Sequence, residues 1–394
     1  MRQIQEKPER HAPGFLYDDS HDTPNARERL QRLPWGLLLL LVLVAIVGGG
    51  VLYSAVGGGE NLSLLLRQSF RFGLALFILC AIALWGDDKF FRRYSYLIYG
   101  AILFLLVIVA LMGTIGMGAR RWLDLGFFRL QPSELMKVAV VMALARFYHD
   151  RTVSGHIGWR QIAVPMILVA IPVVLIAKQP DLGTAVLVAA AGGVVIFVAG
   201  LPWKAVVGIF ATLGASLPLA WNWLHEYQKK RILTLFFPEE DPLGSGYHII
   251  QSKIAVGSGG LLGKGFMGGS QSHLDFLPER HTDFVFSVLA EEWGFIGSVA
   301  LLILYGLIIL RGILIASSAR DRYGLLLACG LTSIFAFHVV INIGMVLGLL
   351  PVVGIPLPLV SYGGSSMLTV MAAMGLLAHV SIHSKYHGRP PAPV

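Results

Sequence analysis

The sequence predicts an all-α integral membrane protein with about ten transmembrane helices, both termini in the cytoplasm and a large outer loop between helices seven and eight. The first observation behind this prediction is composition: 55% of the 394 residues are hydrophobic and only 14% are charged, whereas soluble domains carry about 25% charged residues. The second is that apolar runs long enough to cross a hydrocarbon core of ~30 Å recur along almost the whole chain. The third is the uneven distribution of Lys and Arg between the loops, which sets the orientation.

The predicted spans follow the apolar runs, and their even number places both termini on one side of the membrane. Short loops on that side carry excess Lys and Arg, which marks the cytoplasm. No cleavable signal precedes the first span, since residues 1–34 are polar and much longer than the charged leader of a signal peptide. We expect a disordered cytoplasmic tail over 1–34, a membrane domain over 35–383 and a second cytoplasmic tail over 384–394. The predicted spans are 35–55, 70–86, 94–112, 133–148, 162–178, 182–199, 204–222, 284–314, 323–349 and 360–382.

Charge and cysteine content restrict the possible functions. The formal net charge of +8 does not indicate nucleic-acid binding, because juxtamembrane Lys and Arg produce such a balance by themselves. Cys80 and Cys329 lie in apolar runs, which favours packing over a disulfide or a metal site. Basic residues on the outer side run against the topology rule, so we expect them to bind an anionic ligand. They include Arg120, Arg121, Arg129, Lys178, Lys229, Lys230, Arg231, Lys253, Lys264 and Arg280.

The start of the fourth predicted span carries two charged residues. Pro132 fits the first position of a helix, and Glu134 falls in the first turn, where negative charge is favoured. Glu134 and Lys137 are three residues apart, so they share a helix face and can pair. Ionisable groups inside a span usually face a cavity and mark function. The alternative is a capped helix start with a lysine that extends to the interface.

Two neighbouring arginines precede that helix. Arg120 and Arg121 could grip a diphosphate through forked, charge-assisted hydrogen bonds. The alternative is that they anchor the chain at the membrane interface beside Trp122.

The short outer turn over 178–183 offers two further candidates. Asp181 precedes an apolar run and could cap the following helix. Alternatively, Lys178 and Asp181 face the same polar cavity as the charged pair of the fourth span.

The long outer loop, 223–283, contains a glycine-rich segment over 257–269. It is not a P-loop, because Ser258 stands where the first glycine is required and Gly265 follows Lys264 in place of Ser or Thr. A G-x-G-x-x-G spacing also occurs, but no βαβ unit surrounds it. We expect the glycines to let the backbone approach a ligand or a neighbouring chain segment closely.

The strongest candidate site ends the outer loop. Glu279, Arg280, His281 and Asp283 lie at the mouth of the eighth predicted span. A carboxylate at this boundary between the outer interface and an apolar helix suits a general base. The alternatives are a helix cap for Asp283 and a structural role for His281.

Further polar residues lie inside or beside the last spans. Glu291 and Glu292 lie about two helical turns further into the eighth predicted span, and one of them must contact polar groups. In the segment 350–366, prolines make a stiff outer turn, and Ser361 and Ser365 are candidate substrate-binding residues. The alternative use of its small residues is tight packing between helices.

At these segments the chain resembles the SEDS family (shape, elongation, division and sporulation), and the resemblance covers roughly residues 30–385. Arg280 stands where members of the division branch typically have alanine, which favours the elongation branch. The segments that carry the resemblance are 121–126, 131–137, 179–184, 241–253, 276–286 and 360–365.

The resemblance implies a ten-helix fold and an enzyme that polymerises lipid II into glycan strands at the outer face of the bacterial cytoplasmic (inner) membrane. It implies that Asp283 is the essential aspartate and that Glu134 and Lys137 are the paired residues of the fourth helix. Asp275 stands where the family usually has an acidic residue and so could share the site. The implied partners are a class B penicillin-binding protein, which is a transpeptidase, and the elongation machinery; the outer loop is large enough to dock one.

The expected reaction is an inverting glycosyl transfer. The 4-hydroxyl of an incoming lipid II sugar attacks the anomeric carbon of the growing chain and expels undecaprenyl diphosphate, with Asp283 as general base. Arg120, Arg121 and Lys137 would stabilise charge on the leaving diphosphate. A divalent cation such as Mg²⁺ or Mn²⁺ could assist, although the sequence shows no dedicated metal cage.

Two other functions compete with this one. A transporter that flips lipid-linked precursors would also need many helices and intramembrane charges. No pseudo-symmetric halves are visible, however, and the polar residues crowd the outer face. A scaffold for other wall enzymes would have little reason to set these charges around one outer pocket.

Overall fold

The protein, seen in a computed structural model, is almost entirely helical. The structure describes residues 25–58, 62–116, 119–124, 129–151, 159–200, 208, 222, 226–241, 244–270 and 280–384. Over these residues it forms the helices α1 (Ala26–Gln31), α2 (Trp35–Ala55), α3 (Leu62–Trp85), α4 (Asp88–Met112), α5 (Pro132–His149), α6 (Trp159–Lys178), α7 (Leu182–Val198), α8 (Glu226–Phe236), α9 (Ser245–Ser258), α10 (Val285–Ser317), α11 (Arg322–Val346) and α12 (Gly364–Ile382).

The predicted membrane spans are found as helices wherever the chain is described. Within the described residues, seven helices are long and apolar enough to cross a membrane, namely α2, α3, α4, α6, α10, α11 and α12. Helix α7 is apolar but shorter, and α5 coincides with the predicted fourth span. The predicted span 204–222 lies almost wholly outside the described residues. The prediction of an all-α membrane protein is confirmed.

Two helices begin at least six residues earlier than predicted. Helix α3 starts at Leu62, whereas the prediction had a loop over 56–69. Helix α4 starts at Asp88, six residues before the predicted start. In both helices the added turns carry polar or charged residues, which interrupt the apolar runs from which the spans were predicted. The start of α4 is fixed by Asp87, whose side chain accepts a hydrogen bond from the backbone N–H of Lys89 at 3.1 Å.

The outer segment between α4 and α5 contains a small antiparallel sheet that the sequence interpretation did not include. Its strands are β1 (Thr114–Gly116), β2 (Ala119–Asp124) and β3 (Arg129–Leu130), in the order β1-β2-β3. Asp124 pairs with Arg129 across β2 and β3, and their side chains form an ion pair of 3.4 Å. The sheet leads directly into the first turn of α5.

Helix α5 lies at the centre of the fold. It packs against α4, α6, α7, α11 and α12, and most of its side chains are buried along its whole length. Gly330 of α11 allows this close packing, because a side chain there would meet Val141 of α5 and Val195 of α7. The charged residues near its start, Glu134 and Lys137, are therefore surrounded by protein instead of water.

Helix α10 is broken at Gly294, which has φ 65° and ψ −160°. The glycine-rich segment docks onto this break through backbone hydrogen bonds, one of which runs from the N–H of Phe295 to the carbonyl of Gly260 at 2.9 Å. A side chain at Gly263 would overlap the carbonyl of Glu292. The glycines thus serve close approach to a neighbouring chain segment, which is one of the two uses that the sequence left open.

Candidate functional site

The candidate site lies where the first turns of α5 and α10 meet the last turns of α11. Helix α11 runs in the opposite direction to the other two and packs against both. Its outer half therefore contacts the beginnings of both α5 and α10, which carry the charged residues that the sequence singled out.

Lys137 is the centre of a buried polar cluster. Its Nζ donates to Oε1 of Glu134 at 2.8 Å and lies 2.8 Å from Nε2 of His338. All three residues are buried, so Lys137 does not extend to the interface, and the predicted pairing with Glu134 is observed. The second carboxylate oxygen of Glu134 has no hydrogen-bond partner among the described residues.

His338 and Asn342 are site residues that the sequence interpretation missed. They are four residues apart on α11 and both are fully buried. The available signal was two polar side chains one turn apart in an apolar span, since such residues usually face the interior of a bundle.

Asp283 precedes α10 and is held through its backbone. The side-chain Nδ2 of Asn342 donates to the carbonyl of Asp283 at 2.9 Å and to the carbonyl of Ile355 at 2.7 Å. Gly354, with φ +72°, lies beside the carboxylate: a Cβ at this glycine would make an ordinary van der Waals contact of 3.4 Å with Oδ2 of Asp283. The helix cap position itself is Phe284 and has no side-chain cap hydrogen bond. Asp283 is partly exposed as a residue, and its carboxylate lies beside the proline-rich turn.

The residues before Asp283 are fastened to the start of the last helical segment. The N–H of Tyr362 donates to the carbonyl of His281 at 2.8 Å. The hydroxyl of Ser361 donates to the carbonyl of Thr282 at 2.5 Å and accepts from the N–H of Leu357 at 2.8 Å. The buried Ser361 side chain thus links the segment before α10 to the proline-rich turn before α12.

Asp181 joins the outer ends of α5 and α7. Its carboxylate accepts from Nε2 of Gln131 at 3.0 Å, from the hydroxyl of Ser133 at 3.2 Å and from the N–H of Thr184 at 3.3 Å. The last of these contacts makes Asp181 the N-cap of α7, as the sequence predicted.

Arg121 lies against the turn that precedes α7. Its Nε donates to the carbonyl of Gln179 at 3.0 Å, and a second nitrogen of its guanidinium donates to the carbonyl of Pro180. The contact connects β2 to the end of α6. At least part of the guanidinium therefore holds the protein backbone.

Glu291 and Glu292 are both buried and both have polar partners. Glu291 Oε1 accepts from Nζ of Lys264 at 2.7 Å and from the hydroxyl of Ser270 at 3.1 Å. Glu292 accepts from the hydroxyl of Ser54 on α2. The two carboxylates attach the broken part of α10 to the glycine-rich segment and to α2.

The remaining candidates are distributed around the site. Arg280 donates from Nε to the carbonyl of Ala55 at 2.7 Å. Lys178 is exposed at the end of α6, and Ser365 is buried in the first turn of α12. The other candidates lie outside the described residues: Asp275, Glu279 and the side chain of Arg120.

The arrangement combines two chemical capacities. A partly exposed carboxylate can accept a proton from a substrate hydroxyl. A buried ammonium provides positive charge in surroundings of low dielectric, where electrostatic interactions are stronger than in water. Both groups are held by the same face of α11.

Comparison with known proteins gives consistent results. The family model described as FTSW_RODA_SPOVE, cell cycle protein, matches residues 29–386. The chain is 42% identical over 365 residues to the peptidoglycan glycosyltransferase MrdB of Escherichia coli K12, which covers 92% of this chain and 98% of that protein.

Two solved structures are also similar. One, described as structural coordination of polymerization and crosslinking by a peptidoglycan synthase complex, matches with a TM-score of 0.77 and 38% identity over 89% of this chain and 97% of that chain. The other is the rod shape determining protein RodA of Thermus thermophilus, with a TM-score of 0.66 and 35% identity over 89% of this chain and 96% of that chain.

Proposed function

This chain belongs to the FTSW_RODA_SPOVE family of cell cycle proteins, and from that premise we propose that it polymerises lipid II with Asp283 as the general base. It is a multi-pass membrane protein and a peptidoglycan glycosyltransferase of the elongation type. The reaction takes place at the outer face of the cytoplasmic membrane.

The observation that carries the proposal is the placement of the Asp283 carboxylate. Asp283 is a partly exposed residue just before α10, its carboxylate lies beside Gly354, and its backbone carbonyl accepts a hydrogen bond from Asn342. The 4-hydroxyl of the incoming lipid II attacks the anomeric carbon of the growing chain. A bond forms between that oxygen and the carbon, the bond from the carbon to the diphosphate oxygen breaks, and Asp283 takes the hydroxyl proton. The electron pair leaves with undecaprenyl diphosphate.

Positive charge assists departure of the diphosphate. Lys137 is buried beside Glu134 and His338, so it acts through its field and not as a solvated ion. Arg121 uses two donors on the backbone of the turn before α7, and an arginine has five N–H donors in all. The remaining donors of Arg121, together with Arg120, hold the diphosphate in this proposal.

The partner in this proposal is a class B penicillin-binding protein of the elongation machinery. The similar structure with a TM-score of 0.77 is a synthase complex that combines polymerization with crosslinking. A polymerase that releases its strand beside a transpeptidase would supply the substrate for crosslinking directly.

The test is a polymerisation assay on the purified protein with its partner transpeptidase and labelled lipid II. Wild type is compared with Asp283→Asn and with Asp150→Asn, a matched change at the cytoplasmic end of α5, where Asp150 pairs with Arg146 at 2.7 Å. We expect long strands from wild type and Asp150→Asn and none from a folded Asp283→Asn protein. Equal polymer from all three would remove Asp283 from the chemistry. Wild type that makes no polymer but moves lipid II between leaflets of proteoliposomes would establish a transporter instead.

A further inference from the structure

His338 and Asn342 lie on one face of α11, which contacts both Lys137 and the segment that carries Asp283. They are one helical turn apart, and residues at this spacing lie above one another on a helix. His338 contacts the Lys137 ammonium, and Asn342 contacts the backbone of Asp283. Neither residue was assigned a role by the sequence or by the proposed reaction.

We propose that His338 and Asn342 are positioning residues that together fix where the ammonium of Lys137 and the carboxylate of Asp283 stand relative to one another. The proposal rests on the proposed function, because it assigns these two residues to the same reaction.

His338 supplies a lone pair without supplying charge. Since Lys137 can only donate, Nε2 of His338 accepts, and the ring proton lies on Nδ1. A protonated ring would place two positive charges at the 2.8 Å that separates the two nitrogens. Glu134 already takes one N–H of the ammonium. The histidine takes a second, which fixes the direction of Nζ without adding a second charge to the ion pair of Lys137 and Glu134.

Asn342 clamps the two backbone segments on either side of the Asp283 carboxylate. One is the carbonyl of Asp283 itself, and the other is the carbonyl of Ile355, next to Gly354. Gly354 lies against the carboxylate, so the space that the carboxylate occupies is defined by this turn. Loss of the Asn342 amide would remove the hydrogen bonds to both carbonyls.

The two contacts fix the distance between the groups that they hold, because an α-helix is stiff. Residues four apart are separated by about 6 Å along the axis. The base lies just before α10 and the cation lies on α5, and α11 contacts both segments through these two side chains. A displacement of about 1 Å in a reacting group can lower a rate ~100-fold. Small changes in the distance that α11 fixes would therefore lower kcat measurably.

The experiment measures kcat and KM for lipid II with the full-length protein and its partner. Wild type is compared with His338→Leu and Asn342→Leu, which remove the hydrogen bonds, and with His338→Gln and Asn342→Gln, which keep an acceptor or a donor. Thr332→Val is the matched control, because Thr332 is a buried residue of α11 whose hydroxyl has no hydrogen-bond partner among the described residues. Thermal unfolding in detergent is recorded for each protein.

We expect each leucine variant to lower kcat about 10-fold to 100-fold with KM within a factor of about two. The glutamine variants should recover part of kcat, and Thr332→Val should equal wild type. If the leucine variants do not fold, His338→Asn and Asn342→Ser, which stay polar but are too short to reach, should show the same loss of kcat.

Three results would overturn the inference. The leucine variants could turn over within a factor of about two of wild type, or the glutamine variants could be as slow as the leucine variants at equal stability. A loss confined to KM would assign these residues to binding instead of positioning. Each of these requires an active wild type, so they are distinguishable from failure of the proposed function, in which wild type makes no polymer.

Discussion

Glu134 and Lys137 form an ion pair of 2.8 Å whose side chains are 6% and 1% exposed. Taking two charges out of water costs several kcal/mol for each ion, and the attraction between them offsets that cost only while both are present. A helix at the centre of the fold therefore carries a pair that is far more sensitive to loss of one member than to loss of both.

The first prediction concerns this asymmetry. Lys137→Met should destabilise the protein by about 3–5 kcal/mol, because the Glu134 carboxylate is left buried without its partner. The double change with Glu134→Gln should cost less than the sum of the two single changes. A thermal unfolding double-mutant cycle in detergent measures this. Strict additivity of the two changes would contradict it.

The second prediction concerns Lys264 and Glu291, whose ion pair of 2.7 Å joins a 30% exposed lysine to a fully buried glutamate. Lys264→Met should destabilise more than Glu291→Gln, since the first leaves a buried carboxylate and the second leaves an ammonium that water can reach. Unfolding midpoints of the two variants decide the order. Lys229→Met is the control, because its partner Glu226 is 91% exposed and such pairs contribute at most about 1 kcal/mol.

The third prediction concerns the break in α10. Gly294→Ala should destabilise by roughly 1–3 kcal/mol, because Gly294 has positive φ and a side chain there would overlap the backbone of Gly263. Gly306→Ala in the same helix meets nothing within 4 Å and should be neutral or slightly stabilising. Hydrogen exchange of the amides around the break should increase only in the first variant. Equal exchange in both would show that the break does not depend on glycine.

The fourth prediction concerns the cap of α7. Asp181→Ala should cost more than Asp87→Ala, because Asp181 is buried and accepts three hydrogen bonds, whereas an exposed cap such as Asp87 contributes about 1 kcal/mol. Asp181→Asn should recover much of the loss, since it keeps an acceptor for the N–H of Thr184. Unfolding midpoints again provide the measurement. An Asp181→Asn protein that is stable but inactive would show that the charge of Asp181 contacts substrate.

Local patterns in the sequence were sufficient for several of these features. The apolar runs predicted the helices, and the spacing of Glu134 and Lys137 predicted their pairing, because residues three apart meet on any helix. Asp181 was predictable as a cap for the same reason, since its partner Thr184 lies within the next turn. The starts of α3 and α4 were predicted too late, because interfacial turns lack the apolar signal that defined the spans.

Other features came only from the tertiary structure. The contact between Lys137 and His338 spans 201 residues of sequence, and that between Asn342 and Asp283 spans 59. The sheet between α4 and α5 and the docking of the glycine-rich segment also depend on partners from distant parts of the chain.

By itself, the sequence determined that the chain crosses a membrane, which apolar segments form long helices and which charged residues stand at their outer ends, but it did not predict the helices α1, α8 and α9. The tertiary structure decided which of those residues meet, and it added His338 and Asn342 to the site. The physical reason is that hydropathy and helix periodicity act over a few turns, where covalent geometry fixes the neighbours. Contacts between helices depend on which buried faces fit together, and that is settled only when the whole bundle packs.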